Sequence, residues 1–205
     1  MTIEFRGATP ADVDTAGPLV LSSGPDGLNY VFTIAGGMQV QSFLRHAFLD
    51  GSGEFGYRNH TVATLDGAVV GIGAAYSGEK GISFMTAAAR QILSLYGLCG
   101  LGVMRRGLRT ERVVQPPKKD EWVLVHLGVA PAVRGRGVGR VLIEQLLAQG
   151  KAGGFHKAVL DVSVLNPRAQ ALYERLGFTV EAERPSTLRN EVSFVPAHRR
   201  MSRAI

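Results

Sequence analysis

Trp122–Gly150 reads WVLVHLGVAPAVRGRGVGRVLIEQLLAQG, and its three parts decide the fold. WVLVHLGVA is β-rich and holds one titratable side chain, His126, so it reads as a central strand with both faces covered. From Val138 onward Val138, Val141, Leu142 and Leu146 recur at helical spacing, with Gly150 near the expected stop. Between strand and helix lies VRGRGVGR (133–140), three glycines and three arginines. A second apolar strand, KAVLDVSV (157–164), follows the helix. Strand, helix and strand in this order require a right-handed crossover between parallel strands.

The glycine-arginine stretch fits three templates unequally. The dinucleotide fingerprint G-x-G-x-x-G finds Gly135 and Gly137 but meets Arg140 at its third glycine. The pattern G-x-x-x-x-G-K-[ST] does not fit. R-x-x-G-x-G between strand and helix is satisfied by Arg134, Gly137 and Gly139. A helix N-terminus leaves backbone N–H groups without partners and carries the positive end of the dipole. Glycines let an anion approach those groups, and arginines add forked donors. The stretch therefore reads as a diphosphate cradle, with an ordinary glycine-rich turn as the alternative.

Toward the C-terminus Asn166-Pro167 offers a cap and a first-turn proline. Ala169, Leu172, Tyr173 and Leu176 then form one apolar stripe, and Gly177 sits at the left-handed C-cap position. Two short strands are expected in 179–205. Toward the N-terminus Ile3–Arg6 alternates as a first strand, and Thr9-Pro10-Ala11-Asp12 opens a helix. Residues 22–29 read as a loop, Val40–Phe48 as a second helix stopped by Asp50-Gly51-Ser52-Gly53. His60–Leu65 and Ala68–Ala74 form a hairpin through Asp66-Gly67. Residues 82–112 form an apolar helical insertion. Gln115–Lys119 is a linker inside one domain, 1–205, because the hairpin needs further strands.

The bulk numbers narrow the class. The chain has 205 residues, 26 of them glycine, and a formal charge of +6. One cysteine, Cys99, rules out an internal disulfide and a cysteine-built metal site; it reads as a small buried hydrophobe, and no metal is expected. The opening residues carry Glu4 and no apolar run, which argues against a signal peptide and for a cytoplasmic protein. The uncharged part of the insertion, Gln91–Met104, is shorter than the roughly 20 residues of a membrane span. The positive charge suits nucleic acid, anionic lipid or an acidic small molecule. Against nucleic acid stand the missing aromatic platform, zinc pattern and recognition helix.

Four segments in order, LGVAP (127–131), RGRGVG (134–139), LDV (160–162) and N-x-x-A-x-x-L-Y-x-x-x-G-F (166–178), resemble the GNAT superfamily of acyl-CoA-dependent N-acetyltransferases. The resemblance covers Glu121–Phe178, under a third of the chain. It implies an α/β (α+β) fold: a mixed, mostly antiparallel sheet of six or seven strands, helices on both faces, and a splayed parallel pair. It also implies transfer of an acetyl group from acetyl-CoA to a primary amine, by direct attack in a ternary complex. The amine belongs to a small molecule or a protein. A homodimer is compatible, since many members dimerise.

The same resemblance assigns roles. Backbone groups of Leu127, Gly128 and Val129 would lie against the pantetheine arm and thioester, with the Val129 N–H a donor to the oxyanion. Gly135, Arg136, Gly137, Val138, Gly139 and Arg140 would hold the pyrophosphate, Arg134 would stand at the loop's start, and Asn166 would touch the cofactor. Tyr173 would face the sulfur and assist the leaving thiolate; its alternative is a core tyrosine. Asp161 matches an acid used as base in some ribosomal-protein alanine acetyltransferases, or is a structural acid on a buried strand. His126 is a second candidate base or a satisfied sheet histidine. The acceptor pocket would draw on 22–32, 40–48 and 82–112, with core packing the default for the last. A non-catalytic acyl-CoA-binding domain is the alternative function.

Overall fold

The computed structural model describes residues 2–205; Met1 lies outside them. In chain order the elements are β1 (Ile3–Gly7), α1 (Val13–Ser23), α2 (Pro25–Phe32), α3 (Val40–Asp50), β2 (His60–Leu65) and β3 (Ala68–Ser77). Then come α4 (Gly81–Tyr96), α5 (Gly100–Thr110), β4 (Glu121–Val129), α6 (Val138–Ala152), β5 (Lys157–Ser163), α7 (Pro167–Arg175), β6 (Thr179–Arg184) and β7 (His198–Ala204).

One seven-stranded sheet runs β1-β2-β3-β4-β5-β7-β6. Every pairing is antiparallel except β4 with β5. The expected hairpin turn forms as anticipated: Asp66 and Gly67 take φ of 51° and 79°, the double positive φ of a type I′ turn. Ahead of α1, the Thr9 N–H and hydroxyl both donate to Asp12, which also pairs with Arg6 at 2.7 Å.

Helices cover both faces. On one, α6 and α7 bury Leu142, Leu146, Tyr173 and Phe178 against Leu124, Leu160 and Met201. On the other, α1–α5 gather Ala16, Phe43, Phe48 and Tyr96 over Val62 and Ile72. Phe32 and Phe43 stack there at 3.8 Å.

Two expectations, the loop at 22–29 and the insertion with its cysteine, need correction. The loop at 22–29 shrinks to Gly24, because Pro25 occupies the first turn of α2 and starts that helix at once. Gly150 does fall near the stop of α6, which runs to Ala152 with Gly153 as its C-cap, and a side chain at 150 would come within 2.5 Å of the Trp122 ring. The insertion is not simply core. Ala87, Ile92, Tyr96 and Val103 are buried, while Ile82, Met85, Leu98, Leu101 and Leu108 are exposed, as is Cys99. The helical stretch Gly78–Thr110 has a mean hydropathy of 1.2 over its most apolar window. Gly97, at φ 56°, breaks it into helices of 16 and 11 residues.

Candidate active site between the parting strands

The parallel pair forms a wedge. β4 and β5 are in register only from Glu121↔Lys157 to Val123↔Val159. Beyond that point β4 remains paired with β3, and β5 with β7, but not with each other. The closed end is held by charge. Glu121 accepts from Lys157 at 3.1 Å and from Arg200 at 3.1 Å, and Arg200 donates to Asp161 at 2.6 Å. All three of Glu121, Asp161 and Arg200 are at least nine-tenths buried.

A bulge shapes the open end of β4. Ile72 pairs with Gly128 and Ala74 with Val125, so His126 and Leu127 together face one residue of β3. His126 takes φ of 56°, unusual for a residue with a side chain. Past the bulge, the Ala130 N–H donates to Val70 O, which makes Gly71–Val129 a non-hydrogen-bonded pair. The Val129 N–H and C=O therefore point into the gap. Arg134 Nε caps that carbonyl at 2.9 Å, and the N–H is left for a ligand.

At the mouth of the gap stands the glycine-arginine loop. Gly135 and Gly137 have φ of 79° and 86°, so each needs the freedom of glycine, and Gly137 is the N-cap of α6. A side chain at either would meet nothing within 4 Å, which leaves open space above the backbone. The first bond within α6 comes from Val141 N–H to Gly137 O. The N–H groups of Val138, Gly139 and Arg140 thus have no carbonyl within the helix. Arg134, Arg136 and Arg140 are exposed around them, Arg140 also bonding Glu144 at 2.9 Å. These donors and this space suit the diphosphate of a CoA thioester.

α7 borders the gap from β5. Asn166 caps it, its Oδ1 accepting from Ala169 N–H at 3.1 Å, which leaves its amide N–H₂ free for another partner. The Tyr173 ring is buried, yet its hydroxyl makes no hydrogen bond among the described residues and is not among the fully enclosed polar atoms. Burial pushes its phenol up to about 12.

Asp161 is committed to Arg200, and its other oxygen, Oδ1, is buried without a partner. Burial raises its carboxyl above the usual range against the pull of Arg200. His126 is buried on the face opposite Leu127, as alternation requires. It does not stand alone: its Nδ1 is 3.1 Å from His60 Nε2 and its Nε2 is 3.6 Å from Glu54 Oε1. Sequence reasoning missed Glu54, His60 and Tyr76, which come from a loop and two other strands. In the insertion, Arg106 donates to Val31 O at 2.9 Å and ties α5 to α2.

The acetyltransferase (GNAT) family model matches residues 41–178. The chain belongs to the GNAT family. Its described fold is that of GNAT enzymes: an N-acetyltransferase from Staphylococcus aureus Mu50 superimposes with a TM-score of 0.70 over 98% of this chain and 100% of that one, at 20% identity. A Salmonella typhimurium protein solved with its cofactor acetyl-CoA superimposes with a TM-score of 0.55 over 100% and 94%, at 16% identity. Among curated proteins, the 5-NmdU N-acetyltransferase of Pseudomonas phage PaMx11 is 41% identical over 66 residues, 32% of this chain and 45% of that protein. The chain spans less than half the length of the curated relatives it matches.

Proposed function

We propose that the chain is a single N-acetyltransferase domain that moves an acetyl group from acetyl-CoA to a primary amine, by direct attack while both are bound. The observation that supports this most is the gap between β4 and β5, which starts after Val123 and Val159 and ends at the free N–H groups of α6. Acetyl-CoA supplies the activated acyl group. Backbone groups of Leu127, Gly128 and Val129 line its path. The N–H groups from Gly135 to Arg140 and the Arg134 side chain hold its diphosphate, and the Asn166 amide reaches it from α7.

The Val129 N–H is aimed where negative charge develops on the acyl oxygen; one such donor is worth about 3 kcal/mol. Tyr173 keeps its proton. With its phenol near 12 and a thiol near 8.5, full transfer to the departing sulfur would be uphill by about 5 kcal/mol. Its role is therefore to donate a hydrogen bond to the thiolate. Asp161 serves here as the partner of Arg200 at the closed end of the wedge.

Thiol release from acetyl-CoA, measured across a panel of primary amines, tests the reading. Tyr173→Phe should lower kcat by about 100-fold, the usual cost of one such donor, and leave acetyl-CoA affinity intact. Unchanged turnover in a folded variant would remove the tyrosine's role. Acetyl-CoA binding without thiol release for any amine would favour a non-catalytic binding domain.

A further inference from the structure

A chain of three side chains lies on the α1–α5 face of the sheet, beside the point where the strands part. Its inner end is fixed by a carbonyl. His60 Nδ1 is 2.9 Å from Gly56 O, and a carbonyl oxygen only accepts, so the His60 proton sits on Nδ1. His60 Nε2 is then a bare acceptor. His126 Nδ1, 3.1 Å away, must carry the proton that bonds to it. That leaves His126 Nε2 as a lone pair, pointed at Glu54 Oε1 from 3.6 Å. Both rings are neutral in this arrangement, and burial depresses both imidazoles, His60 to about 4.

The outer end differs from the inner one. The His126 side chain is 8% exposed, whereas Glu54 keeps 37% of its side chain open. The Tyr76 hydroxyl lies beside the same carboxylate, and Tyr76 pairs with Val123, the last β4 residue in register with β5. Phe55 stacks on His126 at 4.7 Å and holds the ring in place. The charged groups around Glu54 are few. Glu111, after α5, acts on it as a like charge, whereas Arg200 and Asp161 act on the neighbouring Tyr76 phenol. Asp50 is taken up by Arg90 at 2.8 Å. No cation pairs with Glu54 among the described residues.

Two acceptors therefore face each other at slightly more than hydrogen-bond distance, and one of them is open to solvent. A carboxylate placed so is stabilised when it gains a proton, because the new O–H has His126 Nε2 to donate to. We propose that Glu54 is the general base that takes the proton from the acceptor's ammonium group, and that His126 and His60 are positioning residues that hold a lone pair ready for that proton. The inference rests on the acetyltransferase reading. The step balances: one N–H bond of R–NH₃⁺ breaks, one O–H bond forms on Glu54, and the neutral amine is left to attack. The positive φ at His126 is what turns the ring onto this face directly after Val125. Desolvation, opposed by the Tyr76 hydroxyl and aided by Glu111, shifts the Glu54 carboxyl upward, the direction a base requires. The same anionic, open carboxylate selects acceptors that arrive as primary ammonium ions.

The test compares butylamine, an ammonium ion at neutral pH, with trifluoroethylamine, which is largely neutral there. Glu54→Gln should lose at least 100-fold in kcat/KM with butylamine and stay near wild type with trifluoroethylamine. Equal loss with both amines would overturn the assignment. His126→Asn, which tolerates a positive φ, removes the waiting acceptor; the pH limb of kcat/KM should move to lower pH while KM for butylamine holds. A limb that does not move would remove the positioning role. If wild-type protein releases thiol with no amine of the wider panel, the acetyltransferase reading falls, and nitrogen-15 spectra of the imidazoles still decide the proton arrangement. Both rings should be Nδ1–H tautomers, and an Nε2–H signal from His126 would overturn the proposal.

Discussion

The two faces of the sheet are built on opposite principles. Under α6 and α7 the sheet presents Leu124, Leu160 and Met201. On the other face these strands carry Glu121, His126, Asp161 and Arg200, and β2 adds His60, all buried. The alternation is visible within β5, where Ala158, Leu160 and Val162 join the apolar cluster and Asp161 faces Arg200. The first face stabilises by removing apolar surface from water. The second must satisfy each polar group it buries, and it concentrates groups with shifted proton affinities. Dry packing and buried charge are thus divided across the thickness of one sheet.

Breaking the polar face should cost most. Arg200→Met leaves Glu121 and Asp161 buried without their shared cation, and about 4 kcal/mol of stability should be lost in urea unfolding at neutral pH. A loss under 1 kcal/mol would mean the pairs contribute little beyond their own desolvation. The dry face should respond almost as strongly but in a different manner. Leu146 is fully buried, so Leu146→Ala should cost about 3 kcal/mol, and the cost should be the same at pH 5 and pH 7.

The smallest effect separates the faces by pH. His60 titrates near 4 when folded and near 6.5 when unfolded, so the unfolded chain binds more protons between these values. Stability is complete above pH 6.5 and falls as the pH drops through this window. About 2 kcal/mol should be lost between pH 7 and pH 5 through His60 alone. Replacing His60 with a non-titrating residue should flatten that slope, and a slope unchanged by the replacement would remove the histidine as its source.

The parts legible in the sequence are those whose chemistry is contiguous. The cradle, the cap at Asn166 and the Asp66-Gly67 turn each sit within a few residues, because backbone geometry alone demands those residue types there. The polar face is assembled otherwise. Glu54, His60, Tyr76 and His126 come from one loop and three strands, and no spacing links them. Its one advance signal was a lone histidine in the apolar run WVLVHLGV, and the hairpin register brought His60 to it. Residues 22–29 misled because serine, glycine, proline and aspartate signal both a loop and a helix start. The insertion misled because apolar composition does not say which side will be covered.

The extra residue in β4 has a consequence for change in the chain's length. Leu127 points to α6, and His126 to the histidine pair, only because the strand slips by one position against β3 between Ile72 and Ala74. Deleting one residue at this point would exchange inside for outside along the rest of the strand, sending Val129 and the peptide groups beside it to the wrong partners. The strand therefore tolerates a change of letter here far better than a change of count. Lineages related to this chain should keep the number of residues between Trp122 and Gly135.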